Sequence, residues 1–298
     1  CIWKKNDPLA GADDRNGAGV GNIMSQAGSI SISNIQKIYD PEGAAVHALE
    51  NCSCEIPSGK FVAMVGPSGC GKSTLLNMIA GFDQPTSGEI KLDDQLLVSA
   101  NTQTPPNSDR VVVFQNGALF PWKTVVENIA YGPIVQKTQS RDQAEKEARA
   151  LLDKAGNLER IAGAFPGQIS SGMQRRVEIL RALINKPKVL LLDEPFRAMD
   201  TVSKSKMHQH LLDIHDKFKP SILLITHDLV EAILLADVVL VMTTRPGTIK
   251  VNINVDLPRP RSRDMIVSEE FTRLQKQAIA AVHEEARKAF ERGEKEFA

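Results

Sequence analysis

Val62-Ala63-Met64-Val65, then Gly66-Pro67-Ser68-Gly69-Cys70-Gly71-Lys72-Ser73-Thr74, then Leu75-Leu76-Asn77 form an apolar run, a glycine-rich loop and the start of a helix. The loop fits G-x-x-x-x-G-K-[ST], the pattern of a phosphate-binding loop. The apolar run ahead of it predicts a buried parallel strand. The residues behind it suit a helix, whose N-terminus offers unpaired N–H groups and a partial positive charge to an anion. Glycines at 66, 69 and 71 let the backbone wrap a phosphate without Cβ clashes. Gly66, Pro67, Ser68, Gly69, Cys70, Gly71, Lys72, Ser73 and Thr74 are therefore the expected nucleotide cradle. Lys72 should place its ammonium on the β and γ phosphates. The Ser73 hydroxyl should hold Mg²⁺, and the Thr74 hydroxyl should reach the α phosphate.

The surrounding chain has 298 residues, with 36 Lys+Arg against 36 Asp+Glu and a formal net charge of zero. A nucleic-acid binder would carry a basic excess, so nucleic acid is not an expected partner. The apolar fraction is ordinary and allows a sizeable core. No apolar run approaches the roughly 18 residues of a transmembrane helix, and no secretory signal opens the chain. A cytoplasmic placement is expected, with membrane contact through a partner. The cysteines are Cys1, Cys52, Cys54 and Cys70. Cys52 and Cys54 form C-x-C with no second pair, so they read as small residues of a reducing compartment rather than a metal site. Cys70 lies near a helix N-terminus expected to lower its pKa. Alkylation there should block nucleotide binding, and ATP should protect.

Residues 1 to about 28 are rich in Gly, Ala, Asn and Asp without periodicity and read as a disordered or loosely attached extension. The start at Cys1 rather than a methionine fits a fragment or a processed form. From Ser29 the pattern alternates strictly, as a half-exposed strand does. Ala45 to Leu49 and Glu89 to Leu92 add to an antiparallel β layer beside the nucleotide core. Val111 to Phe114 is a buried strand ending at Gln115. Residues 116 to about 165 read as a helical insertion, continued to about 184 by a helix that Ser170 caps. Lys188 to Glu194, Ser221 to His227 and Val238 to Met242 are further buried strands, with a helix over Asp200 to Phe218. Strands alternating with helices predict a parallel α/β core, giving one nucleotide-binding domain over 29–250. Over 251–298, Val255-Asp256-Leu257-Pro258-Arg259-Pro260-Arg261 predicts an extended basic linker. A helix from about Glu269 to Phe290 follows, with Phe271, Leu274, Ala278, Val282 and Ala286 on one packing face.

The apolar run Leu190-Leu191-Leu192 ends in Asp193 and Glu194. Asp193 is placed to hold Mg²⁺, and Glu194 to polarise an attacking water. Asn185-Lys186-Pro187-Lys188 approaches a guanine-recognition motif but lacks its acid, which argues against a GTPase.

With these residues assembled, the chain resembles the ATP-binding cassette (ABC) ATPases over roughly Ile30 to Met242, in the family's motif order. Tyr39 is similar to the aromatic that stacks on adenine, and Gly66 to Thr74 is the Walker A loop. Gln115 resembles the Q-loop glutamine, which senses Mg²⁺ and the γ-phosphate. Ile169-Ser170-Ser171-Gly172-Met173 resembles the signature motif, in which Ser170 and Gly172 contact the γ-phosphate of a second subunit. Asp193 and Glu194 match Walker B, and His227 resembles the switch histidine. The resemblance implies a P-loop NTPase fold with parallel sheet, antiparallel β layer and helical insertion, using ATP and Mg²⁺. It implies catalysis by Glu194, His227 and Lys72, with Mg²⁺ held by Ser73, Gln115 and Asp193.

The resemblance also implies a second ATPase subunit, transmembrane permease subunits and, indirectly, a solute-binding protein, at the cytoplasmic face of the cell membrane. Phe120-Pro121-Trp122, Arg245-Pro246-Gly247 and Asp256-Leu257-Pro258-Arg259-Pro260-Arg261 look like importers of nitrate, sulfonates, taurine and bicarbonate. Phe120, Pro121 and Trp122 are candidates for the permease interface, with packing inside the insertion as the alternative. The signature departs from the family at Ser171, where a glycine is usual. In Phe196-Arg197-Ala198-Met199-Asp200, which resembles the D-loop, Arg197 replaces a usual small residue; a long cation there could clash or find a new anion, with tolerated drift as the plainer reading of both departures. Two alternatives to an importer subunit stay open at this point: a regulatory or degenerate cassette with little hydrolysis, and a soluble non-transport ABC ATPase.

Overall fold

Strand β3 (Phe61–Val65) is buried at every position because it lies inside a sheet covered on both faces. Its side chains alternate between two cores, as the strand period of two requires. Phe61, Ala63 and Val65 face one, and Val62 and Met64 face the other. The computed structural model describes residues 27–156, 158–197 and 199–291. The expected extension over residues 1–26, with Cys1, lies outside the described residues, as does Ala198. Ala27 and Gly28, at the end of that extension, are tied to the core: Ser58 Oγ donates to the Ala27 carbonyl at 2.6 Å, and Gly28 N–H donates to Lys188 O at 3.1 Å.

The chain opens with the antiparallel pair β1 (Ile30–Tyr39) and β2 (Val46–Ile56), before β3 and α1 (Lys72–Ala80). β4 (Ser87–Leu92), β5 (Gln95–Ser99) and β6 (Thr102–Gln103) complete a sheet in the order β2-β1-β4-β5-β6. After β7 (Arg110–Val113) come the helices α2 (Val125–Val135), α3 (Arg141–Lys154) and α4 (Ser171–Leu183). Then follow β8 (Val189–Asp193), α5 (Thr201–Phe218), β9 (Ser221–Ile225), α6 (Leu229–Leu235), β10 (Val238–Met242), β11 (Ile249–Asn254) and α7 (Glu269–Glu291). The second sheet has the order β11-β10-β3-β9-β8-β7, with parallel pairing from β10 to β7 and β11 antiparallel at the edge. Leu190 and Leu192, Ile222 and Leu224, and Val239 and Val241 join the core shared with α2 to α7. The alternate residues of the same strands join the core that holds α1 and the antiparallel sheet.

Two expectations change in physical meaning. Cys52 and Cys54 are alternate inward residues of β2, so the C-x-C spacing is the strand period itself. Burial pushes the Cys52 thiol up to about 12 and raises that of Cys54 as well. The stretch expected as a basic linker instead anchors the tail. Arg259 bridges Asp237 Oδ1 at 2.8 Å and Asp216 Oδ1 at 3.0 Å. Arg261, 2% exposed, donates to the carbonyl of Val255 at 3.1 Å. A boundary at residue 250 also falls inside β11, which pairs with β10. Phe271, Leu274 and Ala278 of α7 are buried against the core and Val282 packs at its margin; the side chain of Ala286 lies outside the described residues.

His215 of α5 is buried beside Phe61, with Nε2 3.2 Å from the Gly59 carbonyl. Burial first, then the charges of Arg259 and Lys219, push its pKa down to about 4, with Asp237 pulling the other way. The folded chain thus binds this proton less readily than the unfolded chain does. The stability tied to a neutral His215 is complete above the unfolded pKa of about 6.5 and is lost as pH falls towards 4. Denaturant unfolding should show a loss of about 2 kcal/mol between pH 7 and pH 5 from this residue, and His215→Gln should flatten that slope.

Candidate nucleotide site at the C-terminal edge of the parallel sheet

Open parallel sheets bind ligands outside the C-terminal ends of their strands, because loops from several strands converge there. Here β3 leads into the glycine loop, β7 into Gln115, β8 into Asp193 and Glu194, β9 into His227, and β10 into Arg245. These loops enclose a cavity of about 720 Å³, lined also by Tyr39, Val46, Ala48 and Arg197. Gly66, Ser68, Gly69, Gly71, Lys72, Ser73 and Thr74 all reach its wall. Gly69 and Gly71 have φ of 74° and 98°, the left-handed region that glycine enters without strain. A β carbon at Gly71 would also press on Leu49 at 2.6 Å.

Lys72 opens α1 and turns its ammonium back into the loop, donating to the carbonyls of Gly66 and Pro67, each at 2.8 Å. Ser73 Oγ donates to Asp193 Oδ1 at 3.3 Å, joining two hard oxygen ligands from different strand ends. That donor pair fits Mg²⁺, which takes one or two protein oxygens together with phosphates and water. Burial raises the Asp193 pKa, reinforced by the Glu194 charge and opposed by the Ser73 hydroxyl and Lys72. Tyr39 is exposed at the rim, its hydroxyl 3.0 Å from Asp83 Oδ2 and 3.4 Å from Thr74 Oγ1.

Glu194 sits one residue past β8 with φ of 42°, a conformation a non-glycine residue holds only when its surroundings fix it. Its N–H donates to the Ile225 carbonyl at 3.0 Å. Its carboxylate lies 3.6 Å from His227 Nδ1 and 3.3 Å from Arg197 Nη1. His227 is presented by the turn into α6. There Asp228 caps the helix through Val230 N–H at 2.9 Å, and Thr226 Oγ1 donates to the buried Glu231 at 2.6 Å. Burial opposes ionisation of Glu231, but the nearby His208 ring, the Lys204 ammonium at 2.6 Å and the Thr226 hydroxyl hold its pKa at about 2.

Several contacts that shape the site escape the sequence motifs. Arg175 of α4 donates to the carbonyls of Phe114 at 2.7 Å and Gln115 at 2.6 Å, and pairs with Glu178 at 2.6 Å. Glu178 accepts from Ala118 N–H at 2.8 Å, so this buried pair fixes the backbone around Gln115. The Arg245-Pro246-Gly247 turn braces the glycine loop. Arg245 Nη2 donates to Gly69 O at 3.4 Å, and a β carbon at Gly247 would collide with the Cys70 carbonyl. Neither contact carries a local sequence signal.

Cys70 does not match its expectation. It is 1% exposed, and burial raises its pKa, with Lys72 opposing. Desolvation outweighs the helix N-terminus and the lysine 3.5 Å away. The expected alkylation block with ATP protection therefore gives way to a different outcome: iodoacetamide should label Cys70 in the native chain roughly 10²-fold more slowly than in the denatured chain, with or without nucleotide. Pro67 is likewise not among the residues lining the cavity. Ser170 and Gly172 also lie apart from it, at the N-terminus of α4, where Ser170 Oγ accepts from Met173 N–H at 3.3 Å.

The chain is also similar to known proteins over most of its length. A family model described as ABC transporter matches residues 49–197. The chain is 43% identical over 229 residues to the nitrate import ATP-binding protein of Synechocystis sp., covering 77% of this chain and 83% of the relative. It is 41% identical over 247 residues to the taurine import ATP-binding protein of Rhizobium johnstonii, covering 81% and 91%. A bacterial ABC transporter cassette solved as a dimer superposes with a TM-score of 0.64 at 30% identity, covering 77% of this chain and all of that one.

Proposed function

The chain belongs to the ABC transporter family and is an ATP-binding ATPase of it; from that premise we propose that it powers uptake of a small anion such as nitrate, bicarbonate or a sulfonate. The observation that carries the solute class is the identity above 40% to import subunits named for nitrate and for taurine. No helix among the described residues is long and apolar enough to cross a membrane, so separate permease subunits would form the path.

In this reading the glycine loop and Lys72 hold the β and γ phosphates of ATP, and the Tyr39 ring stacks on adenine. Ser73 and Asp193 would hold Mg²⁺, which neutralises charge developing on the phosphates. Gln115 stands beside that site. Glu194 orients a water in line with the γ-phosphorus and takes its proton as the bond to the bridging oxygen breaks. His227, 3.6 Å from Glu194, steadies that carboxylate and the leaving phosphate. Ser170 and Gly172 offer the free N–H groups of α4 to the ATP of a second cassette subunit. Retention of Lys72, Glu194 and His227 around one cavity favours hydrolysis over a degenerate cassette.

A second concavity, about 630 Å³, is lined by Val111, Phe114, Phe120, Tyr131, Arg181 and Asn185. The Phe120 ring lies 4.7 Å from that of Tyr131 and 5.6 Å from that of Trp122, which is 71% exposed. This aromatic rim, next to Gln115, is the proposed permease dock. Capture of the tagged chain from detergent-solubilised membranes should bring down a permease. Mg²⁺-dependent turnover of that complex should rise with a solute-binding protein, whose ligand names the cargo. A chain recovered without any membrane partner would contradict the importer reading.

A further inference from the structure

Arg197 stands where the resemblance leads to a small residue, and the structure shows what the long cation meets. It follows Glu194 by one turn, and its Nη1 lies 3.3 Å from Glu194 Oε2. The Gln115 amide, with its oxygen towards the guanidinium, accepts from Arg197 Nε at 3.2 Å and from Nη1 at 3.0 Å. One guanidinium therefore ties the end of β7 to the residue after β8. Of those two residues, Glu194 is the one proposed to orient water at the γ-phosphorus, and Gln115 stands beside the proposed Mg²⁺ site. Arg197 also lines the same cavity as Lys72 and Ser73.

Three physical features make this contact exchangeable. The Arg197 side chain is 57% exposed, so its pairing with Glu194 is largely screened and weakly held. A guanidinium presents a planar fork that matches phosphate oxygens at least as well as a carboxylate. The γ-phosphate brings more negative charge than the single carboxylate it would displace.

We propose that Arg197 is a γ-phosphate-sensing residue: it holds Glu194 and Gln115 together without triphosphate and transfers its guanidinium to a γ-phosphate oxygen when ATP enters. The transfer frees Glu194 to orient water at the moment its substrate arrives. A diphosphate does not trigger it, because nothing then occupies the space between Lys72 and Gln115. The inference rests on the assignment of this cavity as the ATP site.

The test is equilibrium binding of a non-hydrolysable ATP analogue and of ADP, each with Mg²⁺, to the full chain. Arg197→Ala should weaken the triphosphate about tenfold, the scale of one charge-assisted hydrogen bond, while ADP affinity stays within about twofold. Arg197→Lys, which keeps the charge but not the fork, should recover part of the loss. Equal losses for both nucleotides would show a structural role and overturn the proposal, as would no loss for either. An unsubstituted chain that binds neither nucleotide would overturn the ATP-site assignment itself, a result distinct from those two.

Discussion

Glu194→Gln is expected to bind ATP normally and to turn it over at least about 10²-fold more slowly, the lower end for loss of a general base. The substitution is nearly isosteric, and the amide oxygen can still accept from Arg197. The fold around it depends on the backbone bond to Ile225 and on a φ of 42°, neither of which the side-chain change touches. Turnover therefore isolates the base from the scaffold. Among the other groups lining the cavity, Asp193 is committed to Ser73, and His227 stands 3.6 Å from the carboxylate it would have to replace. Phosphate release and nucleotide binding, measured on one preparation, check this. Near-normal turnover would require a different base.

Lys72→Met should lower ATP affinity roughly 100-fold, equivalent to about 2.7 kcal/mol. Lys72 is 8% exposed and lies inside the loop, where a phosphate and the Gly66 and Pro67 carbonyls compete for its three donors. Charge-assisted hydrogen bonds contribute about 1.5–3 kcal/mol each, and methionine supplies none. The stem is kept, so packing against the loop is preserved. Titration calorimetry with ATP and Mg²⁺ gives the affinity. A melting temperature close to that of the unsubstituted chain would assign the loss to the ammonium rather than to a collapsed loop.

The strand-loop-helix unit is legible in the sequence because each of its parts is a local rule: an apolar run, glycines where φ is positive, a lysine at a helix start. The other parallel strands are legible for the same reason, as apolar runs ending in Gln115, Asp193 and His227. The first of them, expected to be buried, is instead the edge strand β7, with Val111 and Val112 half-buried and Phe114 exposed beyond its end. The second half of β2 is hidden because its inward positions are Cys52 and Cys54, whose spacing invites a chemical interpretation. The short helix α6 is too brief for a 3.6-residue period to show. Contacts between distant segments have no local signature. Arg175 reaches the Phe114 carbonyl, Arg197 meets Gln115, and Gly247 abuts Cys70 only once the parallel sheet has placed its strand ends side by side. The burial of Cys70 is of this kind, and it reverses a pKa direction that the helix N-terminus alone suggests.

The most direct measurement is steady-state phosphate release from ATP with Mg²⁺ by the chain purified with its membrane partner, alongside the same complex carrying Glu194→Gln. Mg²⁺-dependent turnover that falls at least about 10²-fold in the variant, with ATP still bound, is the expected result. Turnover that is indifferent to Glu194, or no turnover in a complex that binds ATP, would contradict an importer ATPase driven from this cavity.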